Sequence, residues 1–237
     1  MQMNMSVVRS RIRQEFVNWK CREIIYLLVC TGAIALISIR LGDNTLGIMS
    51  AVTGTLYTML AGKGKISCYF FGIFNSAAYG YIAFEQQLYG DAMLNWLWYL
   101  PMMFAGIVFW RKRMDNNACV IKNRLSWRGR LLTAGACAVA VAVYGIILRR
   151  LGDQQPFVDA ITTVLSVAAM ILTVRRCVEQ WLLWIAVNAI SVGMWLRVYL
   201  NGGNNIATLL WWMIMLITGV VFFIQWAGEL KNDSREE

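Results

Sequence analysis

Eight apolar stretches of 16 to 21 residues alternate with short polar segments along this 237-residue chain, and none carries a charge near its middle. They cover residues 24–39, 46–61, 66–84, 92–110, 131–148, 157–174, 181–196 and 206–226. At ~1.5 Å of rise per residue, a helix of that length is about long enough for the ~30 Å hydrocarbon core of a bilayer. The pattern therefore predicts an all-α membrane protein of eight helices. A soluble domain with mean hydropathy +0.53 would have too little polar surface to offer water.

The polar segments set the orientation. A net charge of +9 raises the question of nucleic acid, but the basic residues fall between apolar stretches and form no single stripe with interleaved aromatics, so no nucleic-acid partner is expected. With the N-terminus in the cytoplasm, 18 of the 22 Lys and Arg residues lie inside, and only Arg40, Arg149, Arg150 and Arg197 lie outside. The positive-inside rule thus places both termini in the cytoplasm. Ahead of the first stretch runs a basic, partly amphipathic lead (Arg9, Arg11, Arg13, Phe16, Trp19), with the character of an interfacial helix or signal-anchor. No small-residue cleavage site follows, and the stretch is read as a retained helix. Cys21, Cys119 and Cys177 fall on the cytoplasmic side and Cys30, Cys68 and Cys137 within spans, so no disulfide framework is implied.

Spans two to four and six to eight share one plan: helix, short basic inside turn, helix, outside loop, helix. The inside turns are Lys63-Gly64-Lys65 and Arg175-Arg176, and a shift of 113 residues pairs Phe71 with Trp184, Asn75 with Asn188 and Ala78 with Ser191. Both third helices are expected to end in a boundary tryptophan, Trp110 and Trp226. Three helices plus the fifth as linker is an even number of crossings, so the two units enter the membrane in the same direction. This predicts a SWEET-like 3+1+3 bundle of parallel three-helix repeats with substrate near the midplane between them, plus one extra N-terminal helix. The divisions are 1–45 (basic segment and extra helix), 46–110 (first repeat), 111–155 (basic cytoplasmic loop and linker helix), 156–228 (second repeat) and 229–237 (cytoplasmic tail).

Catalysis finds little support. The chain has no histidine, no zinc-spaced cysteine pair, no phosphate-binding glycine loop and no paired acids inside a span. No metal and no cofactor are expected. Ionisable groups at membrane depth are costly and mark proton or ion handling; their absence at mid-span favours passive over coupled movement. The most informative tract is Gln180-Trp-Leu-Leu-Trp-Ile-Ala-Val-Asn188. Gln180, Trp184 and Asn188 recur every four residues, with Trp181 three before Trp184, so amide and aromatic groups share a helical face. In one reading Trp181 is an interfacial belt residue and Asn188 an interhelical hydrogen bond. In the other, the face stacks on a flat heteroaromatic ligand and the amide both donates and accepts. Phe71, Asn75 and Tyr79 form a matching face in the first unit. Among Trp96, Trp98, Tyr99, Trp211 and Trp212, which read mainly as belt residues, Trp212 is the better ligand candidate. Asp159 reads either as an acid at a helix N-terminus or as an outer-mouth carboxylate, and Pro101 as a gating bend or a tolerated kink.

These residues resemble the PnuC family of nicotinamide riboside transporters over residues 46–228. The resemblance is carried by KISCYFFGIFN (Lys65–Asn75), QLYGD (Gln87–Asp91), PFVDAITTVLSVAAMIL (Pro156–Leu172) and VEQWLLWIAVNAIS (Val178–Ser191). The family's Trp-Xaa-Xaa-Trp-Xaa-Xaa-Xaa-Asn pattern falls on Trp181, Trp184 and Asn188. The resemblance implies a multi-pass protein of the cytoplasmic (inner) membrane that moves nicotinamide riboside by facilitated diffusion. It also implies retention of the product by a cytoplasmic nicotinamide riboside kinase and assembly as a homotrimer. Thiamine- and riboflavin-transporting branches, and a non-transporting scaffold or receptor, are the alternatives. The extra N-terminal helix departs from the seven-helix core of the family.

Overall fold

The computed structural model describes residues 19–40, 42, 45–85, 89–115, 118–152, 155–202 and 206–236. The basic lead before Trp19, and Gln87 in the outside loop, lie outside these residues. All eight apolar stretches appear as helices: α1 (Cys21–Arg40), α2 (Thr45–Gly62), α3 (Cys68–Glu85), α4, α5 (Trp127–Arg150), α6 (Pro156–Val174), α7 (Glu179–Leu200) and α8 (Ile206–Glu236). Helix α4 is composite, running as Tyr89–Met93, a π-helical turn Leu94–Tyr99, and Leu100–Arg111. The chain divides into two compact units, Met1–Ile121 and Lys122–Glu237.

Among the described residues, length and composition alone qualify four helical segments to cross a membrane: Gly90–Arg111, Trp127–Arg150, Pro156–Val174 and Leu209–Asn232. Helices α2, α3 and α7 are as long or nearly so, but Thr53, Thr55, Thr58, Asn75, Tyr79, Gln180 and Asn188 dilute their apolarity. The diluted helices α3 and α7 are the ones that carry most of the candidate residues. In α5 only Gly145 is buried, while Leu131, Leu132, Val139, Val143, Ile146 and Ile147 are exposed. So much unbroken apolar surface is compatible with lipid and not with water. The protein is a multi-pass membrane protein.

In the first unit, α1 is clasped to the turn after α2. Lys63 Nζ sits 2.9 Å from Glu23 Oε2 and 5.7 Å from the ring centroid of Trp19, and the Lys20 backbone N–H also donates to Glu23. Burial pushes the Glu23 carboxyl up, but these hydrogen bonds and the Lys63 charge outweigh it and hold it below the usual carboxylate value. Helix α3 meets α4 through glycines. Tyr69 lies where a Cβ on Gly106 would come within 2.1 Å of its ring, and it packs edge-to-face on Trp110 with centroids 5.0 Å apart. Trp96 lies against Gly80 and donates Nε1–H to Ala77 O at 3.2 Å. The π-helical turn, closed by Leu100 N–H to Asn95 O, stands immediately before Pro101. Proline has no N–H to return and its ring clashes with the carbonyl four residues back, so the chain widens there instead of continuing as α-helix.

The second unit repeats this construction. Trp181 packs edge-to-face on Trp226, centroids 5.9 Å apart at 78°, as Tyr69 does on Trp110 at 82°. Trp226 is not exposed to lipid or water, as a belt residue would be. Like Trp110 it is fully buried, and Lys122 Nζ lies 5.1 Å from its ring centroid. Nor does α8 end there; it continues to Glu236, with Glu229 paired to Lys122, so most of the expected tail is helical.

The two inside turns fix the register of the repeat. Each is a Schellman motif, in which a left-handed residue and its successor bond back to the last helical carbonyls. Gly64 N–H reaches Ala61 O and Lys65 N–H reaches Leu60 O; Arg176 N–H reaches Thr173 O and Cys177 N–H reaches Leu172 O. These pairs are related by a shift of 112, not 113. The correction matters, because it aligns Tyr69 with Trp181, Gly72 with Trp184 and Ser76 with Asn188. Asn75 then has Val187, not Asn188, as its counterpart.

Candidate functional site

Helix α7 begins at a firmly held point. Val178 N–H donates to Asn123 O at 2.9 Å and Asn123 N–H to Arg176 O at 2.8 Å. Glu179, in the first turn of α7, accepts from the Leu125 backbone N–H and from the Arg130 guanidinium, with Nη2 at 2.8 Å. Burial pushes the neighbouring Cys177 thiol up, with Glu179 adding to the shift and Arg175 and Arg176 opposing it, so the thiol is poorly suited to act as a nucleophile. Among the described residues, no three His, Cys, Asp or Glu side chains gather as a metal site.

From this anchored end, Gln180, Trp184, Asn188 and Ser191 follow one another along one stripe of α7. Gln180 is 1% exposed and its Nε2 has no hydrogen-bond partner. Trp184 is half-buried and donates its indole N–H to Thr173 Oγ1 on α6 at 3.4 Å. Asn188 is 7% exposed, and a Cβ on Gly219 of α8 would stand 3.9 Å from its Nδ2. No interhelical hydrogen bond holds its amide among the described residues. A polar group that is nearly buried and unpartnered is costly unless something else answers it.

The other candidates sit differently. Trp181 is 3% exposed, wedged against Phe222 (5.4 Å between centroids) and Trp226, with its Nε1 unpartnered. It supports the stripe from behind. Trp212 is half-buried and packs edge-to-face on Trp211, whose own Nε1 is buried without a partner. In the first unit, Asn75 Nδ2 donates to Ser50 O (2.8 Å) and Ser50 Oγ (3.1 Å), in contact with Gly54. Asn75 is thus a strut between α2 and α3, the role that one sequence reading had given to Asn188. Phe71 is half-buried and Tyr79 is 42% exposed. Asp159 lies in the first turn of α6, where its backbone N–H donates to Gln155 O.

Sequence reasoning missed Thr173. It hides in an apolar run, Ile171-Leu172-Thr173-Val174, where a lone threonine gives no periodic signal. Gly219 was also missed, its function being only to leave room.

A family described as nicotinamide mononucleotide transporter matches residues 44–228. The nicotinamide riboside transporter PnuC of Neisseria mucosa is 35% identical over 228 residues, spanning 94% of this chain and 87% of that relative. The protein of the same name from Haemophilus influenzae is 33% identical over 78% of this chain and 84% of its own length. Among solved structures, the vitamin B3 transporter PnuC is similar at a TM-score of 0.79 and 34% identity, covering 93% of this chain and 97% of that one.

Proposed function

Because this chain belongs to the PnuC family of nicotinamide riboside transporters, we propose that it moves nicotinamide riboside across the cytoplasmic membrane by facilitated diffusion and catalyses no reaction. The observation that carries this reading is the α7 stripe. It pairs a partly open indole, Trp184, with a nearly buried amide, Asn188, that no interhelical hydrogen bond holds among the described residues. A pyridinium ring stacks on the indole and gains from its negative face, while the carboxamide or ribose hydroxyls exchange hydrogen bonds with Asn188 and Gln180. Trp181 holds the backing of the stripe. Phe71, Tyr79 and Trp212 offer further aromatic surface, and Asn75 keeps the spacing of α2 and α3.

The family description speaks of the mononucleotide and the relatives' names of the riboside, and electrostatics separates the two. A phosphate carries between one and two negative charges at pH 7 and needs Lys, Arg or a helix N-terminus to replace its water. No Lys or Arg occurs between Arg176 and Arg197, the stretch that contains Trp184 and Asn188. The mononucleotide would be desolvated there without a partner, at a cost of several kcal/mol. Refusal of the phosphorylated form fits a cycle in which a cytoplasmic nicotinamide riboside kinase retains the imported vitamin. Both termini cytoplasmic and assembly as a homotrimer complete the proposal.

Calorimetry on the purified protein with nicotinamide riboside, the mononucleotide, thiamine and riboflavin tests it. Binding of the riboside alone is expected. Tighter binding of thiamine or riboflavin would transfer the chain to another vitamin, and competition by the mononucleotide in the riboside's own concentration range would sink the pocket assignment.

A further inference from the structure

The two units share a scaffold, so the places where they differ are informative. With the inside turns superposed by the 112-residue shift, Trp184 falls where the first unit has Gly72, and Thr173 falls where it has Ala61. In the first unit the space beside Gly72 is filled by Met103 Sδ and Tyr57, atoms that a Cβ would meet at 2.5 and 2.8 Å. The indole and the hydroxyl thus enter the second unit together, and they touch. Trp184 Nε1 lies 3.4 Å from Thr173 Oγ1, and Thr173 Oγ1 lies 2.9 Å from Ala169 O.

The directions of these bonds are fixed by chemistry. An indole nitrogen only donates, and the Ala169 carbonyl only accepts. The single Thr173 proton must therefore go to Ala169, which turns an oxygen lone pair toward Trp184. Thr173 is 2% exposed, so water cannot substitute for it. An indole has two broad χ2 orientations, and an acceptor on one side favours the one that turns its N–H that way.

We propose that Thr173 is the positioning residue for Trp184, selecting the indole orientation in which its open face meets the substrate ring. This rests on Trp184 being the stacking surface. Thr173 itself need not touch the ligand.

Riboside binding to the full-length protein is measured by calorimetry for the wild type, Thr173→Val, Thr173→Ser, Trp184→Phe, Trp184→Ala and the double variant Thr173→Val/Trp184→Phe. Valine keeps the shape of threonine and removes the acceptor; serine keeps the acceptor. Thr173→Val is expected to weaken binding about three- to tenfold, the size of one lost hydrogen bond, and Thr173→Ser by less than about twofold. In the Trp184→Phe background, which has no indole N–H to orient, adding Thr173→Val should change nothing further. A purely structural threonine would instead lower affinity by the same factor in both backgrounds, and that outcome overturns the proposal. So does wild-type affinity in Thr173→Val while Trp184→Ala binds weakly. Wild-type affinity in Trp184→Ala would remove the stacking surface itself, a distinct failure. Should Thr173→Val not fold, Thr173→Ala removes the same acceptor with less bulk: weakened binding that disappears in the Trp184→Phe background supports the proposal, and wild-type affinity overturns it.

Discussion

Gly64 and Arg176 close two turns of the same construction, with φ of +68° and +64° and the same pair of hydrogen bonds back into the preceding helix. One turn uses the residue suited to a left-handed backbone; the other uses an arginine, for which that conformation costs about 1–2 kcal/mol. Arg176→Gly should therefore be tolerated and raise stability by up to about 1 kcal/mol. Gly64→Ala should lower it by about the same amount, since its Cβ would also come 3.3 Å from Val120. Thermal unfolding in detergent reads both, and a loss in Arg176→Gly as large as in Gly64→Ala would refute the equivalence.

Substitutions in the tryptophans of the second unit should separate binding from folding. Trp184→Ala and Asn188→Ala are expected to weaken riboside binding about tenfold or more with little change in unfolding temperature. Trp226→Ala should cost about 3–5 kcal/mol of stability, because it empties the fully buried space between Trp181 and Lys122. Trp127, 70% exposed, supplies the neutral control. Equal small effects on binding at Trp184, Asn188 and Trp127 would mean that the wrong face was chosen.

The orientation can be read from one engineered and one native thiol. Glu85, exposed at the end of α3, is expected outside, and Cys21, exposed at the start of α1, inside. Glu85→Cys should react with an impermeant maleimide in intact cells, whereas Cys21 should react only after permeabilisation. The reverse order of labelling inverts the topology.

Transport should be uncoupled. The apolar stretches hold no Asp, Glu, Lys or Arg at mid-depth to carry a proton or organise an ion. In liposomes containing only this protein, riboside flux is expected to follow the riboside gradient. Uphill accumulation under an imposed proton or sodium gradient would contradict this.

The eight helices were legible because membrane-length apolar runs have few alternative folds, and the two-unit layout because basic turns mark the inside ends. The register of the repeat was not. Asn75 and Asn188 match as letters, but Asn75 is tied to Ser50 while Asn188 is not. Backbone hydrogen bonds at the turns, which no residue identity reports, set the shift at 112. A tryptophan in a membrane sequence also looks the same on a lipid-facing surface and in a core, so the burial of Trp226 was not legible. The Trp184–Thr173 bond joins two helices eleven residues apart in sequence, and an isolated hydroxyl in an apolar run predicts no partner.

The π-helical turn before Pro101 acts as a phase shifter in α4. An α-helix advances about 100° per residue, so a residue accommodated by a widened turn changes where every later side chain points without much lengthening the rod. Trp110, eleven residues beyond Tyr99, meets the edge of Tyr69 only with that offset in place. Closing the turn as ordinary α-helix at the same length would swing the indole out of its slot beside Gly106, whereas deleting one residue from it would close the helix and leave the indole in place. Two tryptophans with the same partner geometry, Trp110 and Trp226, are thus reached by rods wound differently, and one residue is the whole difference between the windings.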